Sequence, residues 1–253
     1  MKNLILLLVL FLILQKTFAS EAIGFYSSGS LIDGIHIQNE TQEIDKLFIM
    51  RKRFYTTQEM ADLLIELNTH MRALDSQIET LQLGDLSKDG GGKVAGHKSH
   101  QNGLDVDVVY YQVDFNKQSP ESSSWKHNFV YKNNVTQNFH MNNNWEAFKF
   151  LVQTKTVNRI FVDWAVKKAF CQNKEELYQN DTKEVVEEVL RRLRPAKHHK
   201  THFHIRMFCP SKDTRCKDQA QPVKGTACRE AINGPPKPIQ KPRDHQTRRR
   251  DRR

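Results

Sequence analysis

The sequence predicts an α+β domain built on an antiparallel sheet, and three observations carry that expectation. Met60, Leu63, Leu64, Leu67, Met71 and Leu74 recur at the 3.6-residue period of an amphipathic helix. Leu104 to Tyr111 (LDVDVVYY) is β-branched and aromatic and is entered from Gly103, as a strand is. Helices and strands then follow one another without internal repeats and without the regular strand–helix alternation that builds a parallel sheet. A chain of 253 residues suits one domain with appendages.

Taken in order, Met1-Lys2-Asn3 is a short basic start, Leu4 to Leu14 is apolar, and Ala19-Ser20 are small. This reads as a secretory signal peptide over residues 1–20, cleaved near Ala19 or Ser20. The apolar run has 11 residues, against the roughly 20 that a membrane-spanning helix needs. The remainder is polar, with a mean hydropathy of −0.67 for the chain, so no span is expected after cleavage. Gly24 to Ile37 reads as short strands and turns. Thr56-Thr57-Gln58-Glu59 looks like a capping box, with Thr56 at the cap and Glu59 at the third helical position. Asp85 to Gly92 reads as a loop whose three glycines give flexible approach to a cleft. A phosphate cradle is excluded there, because no Gly-Lys-Ser/Thr follows at the required spacing. Gln118 to Asn144 is a long polar excursion. Trp145, Phe148, Leu151 and Val152 predict a helix, Arg159 to Asp163 a buried strand, and Trp164 to Phe170 a short helix. Lys183 to Leu193 predicts a further helix with Val185, Val186, Val189 and Leu193 on one face, stopped by Pro195.

The formal charge of +10 is mostly a property of the ends. Lys237 to Arg253 holds eight Lys/Arg against two Asp, and Lys2 and Lys16 lie in the leader. The body is therefore nearly balanced, and the pI of 9.4 gives no support to a nucleic-acid-binding surface. Residues 230–253 are basic, broken by prolines and nearly devoid of apolar side chains, which predicts a disordered tail. In an exported chain the four cysteines, Cys171, Cys209, Cys216 and Cys228, predict two disulfides. Three pairings are open, and the absence of a CxxC pair argues against a cysteine-rich zinc site.

Two segments carry chemistry: GHKSHQNGLDVD over 96–107 and THFHIR over 201–206. Residues two apart share a face of a strand. His202 and His204 therefore point one way and Phe203 and Ile205 the other; Asp105 and Asp107 likewise face away from Leu104, Val106 and Val108. A loop histidine, an aspartate on one strand and a histidine on its neighbour can converge on one point. Two histidines and a carboxylate are a usual ligand set for catalytic zinc, with a fourth position left for water. His202, on the same face as His204, suits a general base, and His199 is a second candidate. Asp105 reads as a ligand or as the partner that orients a histidine. His127, His140, His198 and His245 read as surface or satisfied histidines. The zinc-protease HExxH helix is absent, and Ser99 lacks the Gly-x-Ser-x-Gly context of a nucleophile.

GHKSHQNGLDVDVVY and HHKTHFHIRMFCP resemble the two signatures of the penicillin-insensitive murein endopeptidases, zinc peptidases related to lysostaphin and the D-Ala-D-Ala metallopeptidases. The wider pattern of His, six residues, Asp and a later His-x-His stands here as His100, Asp107 and His202-Phe203-His204. Gly96, Ser99, Gln101, Gly103, Leu104, Arg206, Cys209 and Pro210 fit the narrower family. The resemblance spans about Ala22 to Arg229, giving a peptidase domain over 21–229. It implies a small antiparallel sheet with flanking helices, as in the D-Ala-D-Ala peptidases and the hedgehog signalling domain. It implies Zn2+ held by His100, Asp107 and His204, with His97 matching a histidine near the metal. His202 would be the catalytic histidine and His199 its assistant. Cys209 would pair with Cys216, and Cys171 with Cys228. The implied substrate is the D-alanyl–meso-diaminopimelyl cross-link of peptidoglycan, cut in the periplasm by a metal mechanism that offers β-lactams no serine. The chain departs from the family in two places. No Asp-x-x-His pair stands between Gln112 and Trp145, where Asn133, Asn134, Asn138 and His140 occur, and a third disulfide is missing. A D,D-carboxypeptidase of the same fold and a non-catalytic peptidoglycan-binding module are the competing readings. The sequence leaves the oligomeric state open, a homodimer included.

Overall fold

In a computed structural model, residues 19–37 and 44–234 are described. The predicted signal peptide, apart from its last two residues, and most of the predicted basic tail lie outside the described residues.

Strands β1 (Glu21–Phe25) and β2 (Ser28–Ile32) form a hairpin. It is tied to the C-terminal region by Gly24 N donating to Arg215 O and Ala22 N donating to Asp213 Oδ2. Further on come β3 (Ile35–His36), β4 (Ile44–Lys46), β5 (Tyr55–Thr56), β6 (Leu81–Leu83) and β7 (Asp105–Val109). A small hairpin, β8 (Val130–Tyr131) with β9 (Asn134–Val135), sits inside the polar excursion. The chain continues through β10 (Val157–Val162), β11 (Leu193–Pro195) and β12 (His202–Met207). The helices are α1 (Gln58–Leu74), α2 (Met141–Gln153), α3 (Trp164–Gln172), α4 (Lys174–Asn180), α5 (Lys183–Arg192) and α6 (Cys228–Asn233).

The main sheet has six strands in the order β11-β10-β12-β7-β6-β4. Its central pairings are antiparallel, as the sequence predicts, while β11 and β4 join its two edges in parallel. One face is apolar: Val106, Val108, Phe203 and Ile205 are fully buried there. Phe148 of α2 meets the Phe203 ring edge-on at 5.2 Å. The alternation that buries these four side chains leaves Asp105, Asp107, His202, His204 and Arg206 on the opposite face.

Two local expectations need correction. The cap of α1 is Thr57, whose hydroxyl accepts from Met60 N, and not Thr56. Thr56 belongs to β5, and its hydroxyl donates to Gly103 O instead, while Glu59 pairs with Lys212. Of the three glycines after Asp85, Gly90 and Gly92 are open, but Gly91 is packed and gives no flexible approach. A Cβ on Gly91 would come within 2.3 Å of Gln101 O and 2.5 Å of Leu31 N, so only glycine fits at that φ of +68°.

Both disulfides form, Cys171–Cys228 and Cys209–Cys216. The first ties α3 to α6; the second closes a short loop just beyond β12. Among the described residues no helix is long and apolar enough to cross a membrane.

Candidate metal centre

The pairing of β7 with β12 puts His204 opposite Asp107 and Arg206 opposite Asp105. His100 arrives from the preceding turn with a left-handed φ of 65°. That turn is held by Ser87, whose hydroxyl donates to His100 O and accepts from Gly103 N. His100 N also donates to Asp105 Oδ2.

Three imidazoles face one carboxylate oxygen. Asp107 Oδ1 lies 3.4 Å from His100 Nε2, 3.5 Å from His202 Nε2 and 3.3 Å from His204 Nδ1. None of these contacts satisfies hydrogen-bond geometry: Asp107 Oδ1 and both ring nitrogens of His100 are buried without a hydrogen-bond partner. Leaving such groups unpaired in a protein interior is costly. Neutral imidazole nitrogens and a carboxylate at this spacing are the donor set that zinc takes. His97, His100 and Asp107 each offer an atom within 4.8 Å of the others, so His97 belongs to the same cluster.

Apart from His100, the histidines of the site are held at a second ring nitrogen. His204 Nε2–H donates to Asp105 Oδ1 at 2.7 Å, leaving Nδ1 turned to Asp107. Asp105 also receives Arg206 Nε at 2.7 Å, which decides the question left open by the sequence in favour of an orienting role. His97 Nε2 lies 2.8 Å from Asp85 Oδ2, and Arg51 and Arg53 converge on the same oxygen at 2.9 and 2.8 Å. His199 Nδ1–H donates to Lys197 O, which leaves its Nε2 lone pair free. The hydroxyl of Thr201 lies 2.8 Å from His202 Nδ1.

The electrostatics follow. Burial raises Asp105 and Asp107, but the facing imidazoles and the Arg206 guanidinium outweigh it and hold both well below the usual carboxylate range. For Asp105 these are chiefly Arg206 and His204, for Asp107 chiefly His202 and His100. Burial lowers His204, and Asp105 outweighs it, so His204 ends above its ordinary value. Burial pushes His202 down to about 3 and His199 to about 4, so both are neutral at physiological pH. The site thus combines the buried carboxylate of Asp107, a cluster of presented imidazole nitrogens and the two neutral histidines His202 and His199.

A family model described as penicillin-insensitive murein endopeptidase matches residues 22–252. The chain belongs to that family. A penicillin-insensitive murein endopeptidase of Haemophilus influenzae is 29% identical over 226 residues, which cover 87% of this chain and 75% of the relative. One of Escherichia coli is 26% identical over 236 residues, covering 87% of this chain and 79% of the relative. The family match runs into the arginine-rich C-terminal segment, which the resemblance read from the motifs left outside.

In this member of the penicillin-insensitive murein endopeptidases the fold brings His97, His100, Asp107, His202 and His204 together. The His199 ring lies 5.1 Å from that of His202. His140, read as a satisfied histidine, caps α2 by accepting from Asn143 N. Asp85, Arg51, Arg53 and Trp125 also belong to the site and were missed by sequence reasoning. Nothing in their local sequence marks Asp85 or the arginines. Trp125 does stand out, as the one aromatic side chain between Gln118 and Lys126.

Proposed function

We propose that this chain is a zinc-dependent endopeptidase that hydrolyses the D-alanyl–meso-diaminopimelyl cross-links of peptidoglycan. The observation that carries the reading is the convergence of His100 Nε2, His204 Nδ1 and His202 Nε2 on Asp107 Oδ1, buried and without hydrogen bonds of their own to one another. The names of the relatives, murein endopeptidases, supply the substrate class.

His100, Asp107 and His204 would hold the ion, with His97 beside them. A zinc ion so held polarises a substrate carbonyl and acidifies a water in the site. His202 is the general base: burial keeps its imidazole neutral, and Thr201 holds its Nδ1 so that Nε2 takes the proton of the attacking water. His199, with its Nε2 lone pair free, stands at the rim as a second base beside His202. Asp105 keeps His204 in the tautomer that presents Nδ1. No serine takes part, so β-lactams have nothing to acylate.

Residues 1–20 act as a signal peptide, residues 21–229 form the peptidase domain, and residues 230–253 are a basic tail. The two disulfides suit an oxidising compartment, the periplasm. The test is a digest of cross-linked sacculi with the processed protein, read as muropeptide masses with and without chelator. Loss of dimeric muropeptides with gain of intact monomers, blocked by chelator and restored by zinc, is expected. Loss of a terminal alanine alone would make the protein a carboxypeptidase instead, and an unchanged digest by zinc-loaded protein would make it a binding module.

A further inference from the structure

The imidazole of His202 is gripped from two directions. Thr201 Oγ1 meets Nδ1 at 2.8 Å. The indole of Trp125 covers one face, with ring centroids 4.4 Å apart and planes within 13° of parallel. A hydrogen bond at one ring atom leaves the plane free to rock, because the torsion at the imidazole is broad. A flat ring stacked on the face removes that freedom.

Trp125 is itself buttressed. It meets Phe48 edge-on at 4.8 Å and 87°. Phe48 adopts a left-handed φ of 58°, a conformation that a bulky residue rarely takes. Arg51 lies 3.8 Å over the Phe48 ring and carries the contact on to Asp85, the partner of His97. Gly84 makes room for the indole: a Cβ there would come within 2.4 Å of it. The segment bearing Trp125 is pinned by Gln118, which accepts from Lys126 N, donates to Ser124 O and receives no freedom at its own N–H, given to Gln82 Oε1. Ile49 N donates to Pro120 O on the same segment.

We propose that Trp125 is a positioning residue for His202, its stacked indole holding the imidazole with Nε2 aimed at the site. The proposal rests on the reading of His202 as general base. Misaiming that base lowers turnover, whereas substrate binding is largely kept.

The test uses the whole chain loaded with zinc and a purified cross-linked muropeptide dimer as substrate. Trp125→Leu is expected to lower kcat roughly 10- to 100-fold with little change in KM, at unchanged metal content. Trp125→Phe, which keeps a flat ring, is expected to restore most of that loss. In a His202→Ala background Trp125→Leu should have no further effect. Independently of turnover, the ring protons of His202, assigned by their loss in His202→Ala, should move downfield in Trp125→Leu as the indole ring current is removed. The proposal is overturned if Trp125→Leu keeps the parent kcat, raises KM alone, or slows the His202→Ala protein by the same factor. A parent that leaves the dimer uncut, or a His202→Ala protein that cuts it at the parent rate, sinks the underlying reading instead. The ring-current shift still decides in that case whether Trp125 holds the ring.

Discussion

Asp105 is the residue whose loss the structure prices most sharply in stability. Its carboxylate is fully buried and bonded to Arg206 Nε at 2.7 Å and Nη2 at 3.2 Å, to His204 Nε2 at 2.7 Å and to His100 N at 3.0 Å. Arg206 is nearly as buried, and among the described residues its other side-chain partners are Gln219 Oε1 and the faces of Tyr26 and Phe161. Asp105→Ala therefore strands a guanidinium in the interior, a change that costs about 3–5 kcal/mol. At about 2–4 °C per kcal/mol for a domain of this size, the unfolding midpoint should fall by roughly 6–20 °C. Removing both charges, as Asp105→Asn with Arg206→Met, should recover part of that loss, because a buried pair replaced whole costs far less than one broken. Asp105→Asn alone separates stability from orientation: it keeps the shape but loses the carboxylate that fixes the His204 tautomer. Metal affinity should drop roughly 10- to 100-fold, as for other partners behind a metal-binding histidine. Thermal unfolding followed by circular dichroism and a competitive zinc titration measure the two effects. An Asp105→Ala protein that melts within about 1 °C of the parent would refute the buried-pair argument, given the magnitudes above.

Three further predictions are more local. Lys167 is fully buried, donates to Leu193 O, and is pushed by burial down to about 7 from an ordinary value of 10.5. The folded state thus sheds a proton that the unfolded state keeps, so stability should rise with pH between about 7 and about 10.5, by at most roughly 1.4 kcal/mol per pH unit, and Lys167→Met should flatten that rise and stabilise the protein at pH 6. Chemical denaturation at a series of pH values reads this, and an equal slope in parent and variant would contradict it. The Cys171–Cys228 bridge closes a span of 57 residues and Cys209–Cys216 one of 7; on loop-closure entropy their removal as paired serines should cost about 4 and about 2 kcal/mol, and denaturant midpoints in the reverse order would count against that account. Chelation should abolish cleavage while leaving the secondary structure in place, because the extensive apolar core and the two disulfides hold the fold; loss of the far-ultraviolet circular dichroism signal on chelation would show that the metal holds the fold instead.

Much of this was legible in the sequence where one periodicity decided one property. The two-residue alternation of 202–205 and 104–108 sorted core from site side chains, because a buried face tolerates no register slip. The helical periods of α1, α2 and α5 were equally plain. The short edge strands β4 and β11 were not, since a strand of three residues carries no period and is defined by the neighbour it joins. The cap of α1 was misplaced by one residue because Thr56 and Thr57 are equally good caps, and the pairing of Thr56 with Ile35 decides between them. At the site, histidines at motif spacing were readable. Asp85 and Trp125 were not, because each reaches the centre through contacts distant in sequence: 12 residues from Asp85 to His97, and much further from Trp125 to His202.

The central claim is that one set of side chains holds a metal while a neighbouring histidine performs proton transfer. It is tested most directly by measuring zinc content and cross-link cleavage in the same samples of the parent, His100→Ala and His202→Ala proteins. The account predicts that the parent binds zinc and cuts, that His100→Ala loses both, and that His202→Ala keeps its zinc while losing cleavage. A His202→Ala protein that cuts murein at the parent rate, or a His100→Ala protein that retains both metal and activity, would contradict it.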